Sequence, residues 1–308
     1  MQLDQKRLGF LILIFSCCHI YAQVKVVSTN EEKFKNLQPS IGKVFYNFTY
    51  LRDTTQPNNL YKEEFELDFS KTTSLFSNYS MILQDSIMQT DIMNQLKNAS
   101  DPNHVDLILH RSASISTDKF FIRLQPDTSV YDIRAISSQL FAIKDTQARI
   151  NWKILDSTKS IEGNICQKAI GESHGRIYTA WFCSDIPYNF GPRRLNGLPG
   201  LIVEAYDDKH EVAYTLNHLQ ANIVTRQIGL SENAIPATAK EYQKAYDAYI
   251  KNPQAFVQAY SASTTLALAP KTNNPFGNID PSKIKSITVI KDDHSINLIK
   301  ENNPIDLR

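Results

Sequence analysis

The sequence predicts an α+β fold, mainly antiparallel β, with one large curved antiparallel sheet and a few covering helices. Three observations predict it. Short β-compatible runs recur along the 308 residues, separated by clusters of Gly, Pro, Asn, Asp and Ser. There is no βαβ alternation and no solenoid period. The composition is that of a folded globular chain, 42% hydrophobic and 21% charged.

The N-terminus has its own pattern. Lys6 and Arg7 form a short basic start, Leu8 to Ile14 is almost wholly apolar, and small Ala22 precedes Gln23. That order reads as a secretory signal over residues 1–22, with 23–308 as a single domain. The apolar run is shorter than the roughly 20 residues a membrane-spanning helix needs. Ile14-Phe15-Ser16-Cys17 is a degenerate lipobox, but bulky Phe15 argues against lipidation of Cys17, and Ala22 is the better processing site. No later segment is long and apolar enough to span a bilayer. The expected location is therefore exported, periplasmic or outer-membrane-associated. With 33 basic and 32 acidic residues, the chain has no electrostatic footprint for nucleic acid.

The elements follow in order. Val44 to Tyr50 is rich in aromatic and β-branched residues, and Leu60 to Phe69 puts Phe65, Leu67 and Phe69 on one face. With turn residues between them, the two runs form a hairpin, and Ser74 to Tyr79 adds a strand. Met81 to Lys97 has apolar residues nearer helical spacing, ended by Asp101-Pro102. Val105 to His110, Lys119 to Leu124 and Ala148 to Leu155 are further strands. Ile202 to Tyr206 and Glu211 to Leu219 flank an Asp-Asp-Lys-His turn. Thr238 to Ile250 is a helix with Tyr242, Ala245, Tyr246 and Tyr249 on one stripe. Residues near 261–282 are loop-rich, and Ile284 to Ile290 is a late strand.

Cysteine usage agrees with export. Once Cys17 and Cys18 leave with the signal, Cys166 and Cys183 are the remaining pair. Ile161 to Glu172 and Arg176 to Cys183 read as a hairpin about Ser173-His174-Gly175-Arg176. If His174-Gly175 is a two-residue loop, Ser173 faces Arg176 and, counting outward, Cys166 faces Cys183. That pair falls at a non-hydrogen-bonded site, where Cα atoms approach to about 4.5 Å, within disulfide reach. The alternative is two separate buried thiols, because one extra loop residue would break the register.

Catalytic signatures are missing. There is no G-x-S-x-G, H-E-x-x-H, P-loop or dinucleotide fingerprint. His104, Asp106 and His110 share a strand face, but six residues of strand separate the two rings by roughly 20 Å, too far for one ion. His174 reads as a solvated turn residue. No metal and no cofactor is implied.

Gly197-Leu198-Pro199-Gly200-Leu201-Ile202 spells GLPGLI, and the chain resembles the GLPGLI family of exported Bacteroidetes proteins. Cys166-Gln167-Lys168-Ala169, Gly175-Arg176, Thr179-Ala180-Trp181-Phe182, Ile186-Pro187 and Gly191-Pro192 follow in that family's order, and Asn303-Pro304-Ile305-Asp306-Leu307 resembles its ending. A departure lies at Gly171 and its neighbours, where the family more often has Thr. The resemblance implies an envelope protein. It implies no catalytic residues, because that family's biochemical function is not established. Physically, Pro199-Gly200 suits the centre of a type II turn. The hexapeptide then makes a structural corner. It could alternatively be a partner platform, with Arg193 and Arg194 as anion contacts; two adjacent loop arginines are otherwise solvated.

Two function classes follow. The first is a non-enzymatic binding or structural protein for an envelope partner or apolar ligand: a lipid, a peptide or a protein. The second is a periplasmic hydrolase. An apolar groove favours the first, and a buried His, Asp and Ser cluster the second. The maturation reading is open to N-terminal mass spectrometry of the exported chain. It should begin at Gln23; an intact Met1 or a lipid on Cys17 would refute it.

Overall fold

The computed structural model describes residues 34–101, 103–112, 119–125, 128–137, 139–147, 149–221, 227–256, 259, 284–292 and 302–307. They belong to one compact unit, Glu32–Arg308. The signal expected over 1–22 and the loop-rich segment near 261–282 lie outside the described residues.

In chain order the strands are β1 (Phe34–Pro39), β2 (Gly42–Tyr50), β3 (Tyr61–Phe69), β4 (Thr73–Asn78), β5 (Val105–Ser112), β6 (Lys119–Arg123), β7 (Ser129–Ile136) and β8 (Gln139–Lys144). They continue with β9 (Lys153–Ile161), β10 (Asn164–Ser173), β11 (Arg176–Cys183), β12 (Leu201–Asp207), β13 (Val212–Ala221), β14 (Gln227–Ser231), β15 (Ile235–Ala237) and β16 (Ile284–Asp292). Helices α1 (Tyr79–Asn98) and α2 (Ala239–Lys251) interrupt them. Twelve strands form one open sheet in the order β15-β8-β7-β6-β4-β3-β2-β13-β12-β11-β10-β9. Its neighbours are antiparallel except β15, which runs parallel to β8. The predicted fold class holds.

The sheet cannot be flat. Strands β8 and β9 stand ten positions apart, which in a flat sheet is about 48 Å at about 4.8 Å per strand. Yet the chain passes from Lys144 to Lys153 directly, a span of at most about 32 Å when fully extended. The sheet therefore curls, and residues beside its two ends meet. Its inner face is apolar because the period of two places alternate residues there. Val44, Tyr46, Phe48 and Tyr50 of β2 all point inward and are buried. Across the register, Val44 faces Leu67, Leu67 faces Phe76 and Phe76 faces Phe120. The rings of Phe65 and Phe76 stack at 4.8 Å, and Phe48 stacks on Tyr214 at 4.9 Å.

The outer face is covered in part. The β1–β14 pair brings Leu230 onto Phe121, Ile133 and Ala142. Helix α1 starts where the Asn78 Oδ1 accepts the Met81 N–H at 2.8 Å, and it buries Ile92 on Val105, Leu107 and Leu109. Helix α2 opens with a capping box between Thr238 and Glu241 and leans Tyr242, Ala245 and Tyr249 on Phe141 and Ile143. Among the described residues, no helix is long and apolar enough to cross a membrane.

Some expectations shift. Strand β9 begins at Lys153 and not Ala148, and β16 pairs in parallel with β5 outside the large sheet. Strands β1, β7, β8, β14 and β15 went unread. In β7 Asp132 and Arg134 interrupt the apolar alternation, and the others are three to six residues long.

The hairpin register is as expected: Ser173 faces Arg176 and Gln167 faces Phe182. His174 and Gly175 both have positive φ, 50° and 80°, as a type I′ turn requires. Cys166 and Cys183 form a disulfide, with Cα atoms 4.2 Å apart. The bridge joins cysteines at a sequence separation of 17, worth about 3 kcal/mol in the chain-entropy model. Replacing both cysteines with alanine should lower the melting temperature yet leave the protein folded at 25 °C, because the aromatic core persists. Unfolding at 25 °C, read by circular dichroism, would contradict this.

Candidate functional site

The segment between β11 and β12 turns inward and fills the curl. Phe190, Leu195, Leu198, Leu201 and Ile202 are all buried, as is Gly200, while Pro199 stays exposed. The Tyr46 hydroxyl donates to the Ile202 carbonyl at 2.6 Å, and the Trp152 indole donates to the Asn196 carbonyl at 2.8 Å. The loop thus touches the chain leading into β9, and the start of β12 touches β2. The expected type II turn is not what forms. The Gly200 N–H donates to the Leu198 carbonyl at 2.8 Å, closing a three-residue turn about Pro199. Gly200 is needed for close approach instead: a Cβ there would lie 2.4 Å from the Cys183 carbonyl oxygen. The hexapeptide is packed against the strand that carries the disulfide.

Arg176 lies at the centre of the site. It is 2% exposed, at the first position of β11, where the type I′ turn delivers it inward. Its Nε donates to the Ile305 carbonyl at 2.9 Å. Its Nη1 donates to Asp207 at 2.6 Å and Glu211 at 2.9 Å. Its Nη2 donates to Asn303 Oδ1 at 2.6 Å and the Pro304 carbonyl at 2.8 Å. All five guanidinium N–H groups are used. Three of the acceptors belong to the C-terminal segment, which is thereby drawn onto the mouth of the curl. Asn303 also donates to the Leu51 carbonyl at 2.7 Å, and the Leu307 N–H reaches the His174 carbonyl at 2.9 Å.

Arg193 and Arg194 are not the solvated pair expected of adjacent loop arginines. Arg193 is 7% exposed and pairs with Asp306. Arg194 pairs with Asp145 at 2.6 Å, Asp306 at 3.1 Å and Asp132 at 3.4 Å. Both guanidinium groups lie over the Phe120 ring, 4.8 and 4.7 Å from its centre. Their anion contacts are thus carboxylates of this chain. His174 is also buried, contrary to expectation. Its Nδ1 lies 3.1 Å from the Ser173 hydroxyl and its Nε2 3.2 Å from Asp145. Because Asp145 follows β8 while His174 joins β10 to β11, this contact ties the two ends of the curl. Burial alone would raise the Asp145 carboxyl. The hydrogen bonds from His174 and the Gln147 N–H, with the Arg194 charge, outweigh it and hold the group at about 2. Asp306 is likewise opposed by burial and held low by Arg193 and Arg194.

Beside this network a cleft of about 620 Å³ opens. Aromatic Phe48, Tyr50, Tyr61, Tyr242 and Tyr246 line it, with Arg52, Arg134 and Arg193 set against Asp132 and Asp306. Arg52 lies 3.3 Å over the Tyr61 ring, and Arg134 bonds Asp132 at 2.8 Å. Pro304, Ile305 and Asp306 form one wall, so the C-terminal segment shapes the cleft. Sequence reasoning singled out Arg193 but missed Arg52, Arg134 and Arg176 as site residues. Arg176 stood inside the quoted Gly175-Arg176 pair, which was the available signal. His104 and Asp106 are exposed; His104 pairs locally with Asp101, and Asp106 pairs with Lys285 of the neighbouring β16. Among the described residues, no group of His, Cys, Asp and Glu is arranged to hold a metal.

Residues 171–204 match the family described as "Protein of unknown function (Porph_ging)". The matched span takes in Arg176, the loop arginines and the hexapeptide, while the groups that Arg176 clamps, Asp207, Glu211 and Asn303 to Ile305, lie outside it. No curated protein matches the chain. Among solved structures, "Structure of PNGF-II in P21 space group" aligns with a TM-score of 0.42 and 14% identity over 67% of this chain and 32% of that one. "Structure of PNGF-II in C2 space group" aligns with a TM-score of 0.42 and 13% identity over 66% and 32%. The chain spans about a third of the length of those proteins.

Two predictions follow from the clamp. Arg176→Lys keeps the charge but supplies three donors for five acceptors, so it should destabilise by about 3–5 kcal/mol, the usual cost of breaking a buried pair. Arg193→Ala should cost a similar amount, and Gly200→Ala about 1–3 kcal/mol through overpacking. Urea denaturation checks these values; a loss below about 0.5 kcal/mol for Arg176→Lys would contradict the clamp. The second prediction concerns pH. A carboxyl held low in the folded state stabilises above its unfolded value of about 3.9 and loses that contribution as pH falls through the folded value. Stability should therefore drop between about pH 4 and pH 2. Asp145→Asn should flatten that slope in denaturation curves taken across the range.

Proposed function

We propose that this chain is an exported, non-enzymatic binding protein of the cell envelope whose cleft takes a peptide or protein segment. One observation carries this reading: the cleft pairs tyrosine rings with guanidinium groups. Tyr and Arg are the residues enriched where proteins recognise one another, since each presents a flat apolar face with a polar end at modest entropic cost. Three arginines against two aspartates leave the lining slightly cationic, which favours a segment bearing a carboxylate. The same five charged residues disfavour the apolar ligand considered from sequence. Export rests on the basic-then-apolar N-terminus, and the Cys166–Cys183 bridge agrees with an oxidising compartment.

A second reading rests on Ser173, His174 and Asp145, which form a hydrogen-bonded row. Such a row can activate a serine hydroxyl for hydrolysis. Here Ser173 is 8% exposed and Asp145 is shared with Arg194, an arrangement suited to fastening the curl.

Both readings meet in one pair of measurements. Peptides selected on the purified protein from a random hexapeptide display library should lose at least about tenfold in affinity on Tyr242→Ala or Arg134→Ala, the mark of a hot spot. Selected peptides indifferent to both changes would refute the cleft. Hydrolysis of p-nitrophenyl esters that disappears in Ser173→Ala would favour the second reading.

A further inference from the structure

We propose that Arg176, Arg193 and Arg194 form a recognition socket for an Asn-Pro-aliphatic-Asp segment. In this structure the chain's own residues 303–306 fill the socket, and the same segment of a second copy of this chain can replace them. The inference does not rest on the cleft reading.

The contacts are those a docked peptide makes. Main chain is gripped at three successive carbonyls: Asn303 by the Tyr50 hydroxyl, Pro304 by Arg176 at 2.8 Å, and Ile305 by Arg176 at 2.9 Å. Side chains are read at both ends. The Asn303 amide accepts from Arg176 at 2.6 Å and donates to the Leu51 carbonyl at 2.7 Å, a combination that an aspartate cannot supply. Asp306 accepts from Arg193 and from Arg194 at 3.1 Å. Ile305 packs on the core between them.

Two features make the segment exchangeable and not just another loop. It continues no strand of the large sheet. The described chain before it is β16, which pairs with β5 in a separate sheet, so the segment meets the socket as an added ligand does. The socket also cannot stand empty cheaply. Departure of the segment would take three of the five acceptors from Arg176 and leave its guanidinium to be resolvated beside Asp207 and Glu211. A second copy of the segment restores every bond, so replacement is favoured over vacancy. While tethered, the chain's own segment competes at the high effective concentration of an intramolecular ligand.

The test uses the full chain with a site-specific protease sequence placed between Asp292 and Asn302, cut after purification. The nicked protein should retain its segment through gel filtration and then exchange it for a fluorescent synthetic peptide of residues 302–308, read by anisotropy. Peptides carrying Asn303→Asp or Asp306→Asn should bind at least about tenfold more weakly, and intact protein should take up the parent peptide at least about tenfold more weakly than nicked protein. A nicked chain with unchanged circular dichroism that takes up no peptide overturns the proposal, as does equal binding of the three peptides. Should nicking unfold the chain, full-length Asn303→Ala protein replaces it. Its own segment competes poorly, so it should bind the peptide more tightly than wild type, and failure to do so overturns the proposal. Where the socket binds the peptide, concentration-dependent dimers of intact protein that the peptide dissolves identify the donor as a second copy. Uptake of the peptide with no such dimers at any concentration overturns exchange between copies.

Discussion

A guanidinium buried to 2% exposure must find acceptors for all five of its N–H groups, and Arg176 finds them in two separate places. Asp207 and Glu211 come from the β12–β13 corner, and the rest from residues 303–305. The turn at His174-Gly175 fixes where Arg176 begins its strand. Asp207 is held in place because it also accepts the Glu211 and Val212 N–H groups, at 2.7 and 2.9 Å. One side chain thereby joins a hairpin, a strand corner and the chain terminus. The cleft inherits its wall from that union, since Pro304, Ile305 and Asp306 are in place only while Arg176 holds their carbonyls.

The curl of the sheet supplies the second constraint. The short passage from β8 to β9 forces the two ends together, and Asp145 sits in that passage. It receives Arg194 from the inserted loop and His174 from the hairpin turn. Buried charge is costly unless paired, and here each carboxylate and guanidinium answers another across the junction. Phe120 beneath both arginines completes the junction. The hexapeptide segment contributes from below: Leu198, Leu201 and Ile202 fill the interior, so the loop that bears Arg193 and Arg194 cannot drift from the sheet.

The same arrangement bears on function. Tyr61, Tyr242 and Tyr246 surround a cleft whose charges are arranged in pairs, with Arg134 on Asp132 and Arg193 on Asp306. A ligand entering there meets preorganised rings and partly committed charges, conditions suited to selective binding of a polar segment. Ser173, His174 and Asp145 lie in the fastening network, and their row of hydrogen bonds connects elements far apart in the sheet order.

Much of the fold was legible in local pattern. Aromatic and β-branched content marked β2, and alternation marked β3, where Phe65, Leu67 and Phe69 share one buried face. The hairpin register, and with it the Cys166–Cys183 pair, followed from a two-residue turn, since turn length sets every later pairing by counting. Strand β7 was hidden because Asp132 and Arg134 serve the cleft and break the alternation, and β9 was misplaced because an edge strand has little burial to impose a pattern. The site itself was decided by tertiary structure. Whether Arg193, Arg194 and His174 are solvated or buried depends on Asp132, Asp145 and Asp306, which lie 29 to 113 residues away in the chain. No spacing rule connects such distances. Local sequence determined which residues turn, alternate and cross-link, because those preferences act over a few neighbouring residues. The curl decided which charges meet, because pairing of buried charges depends on proximity in space.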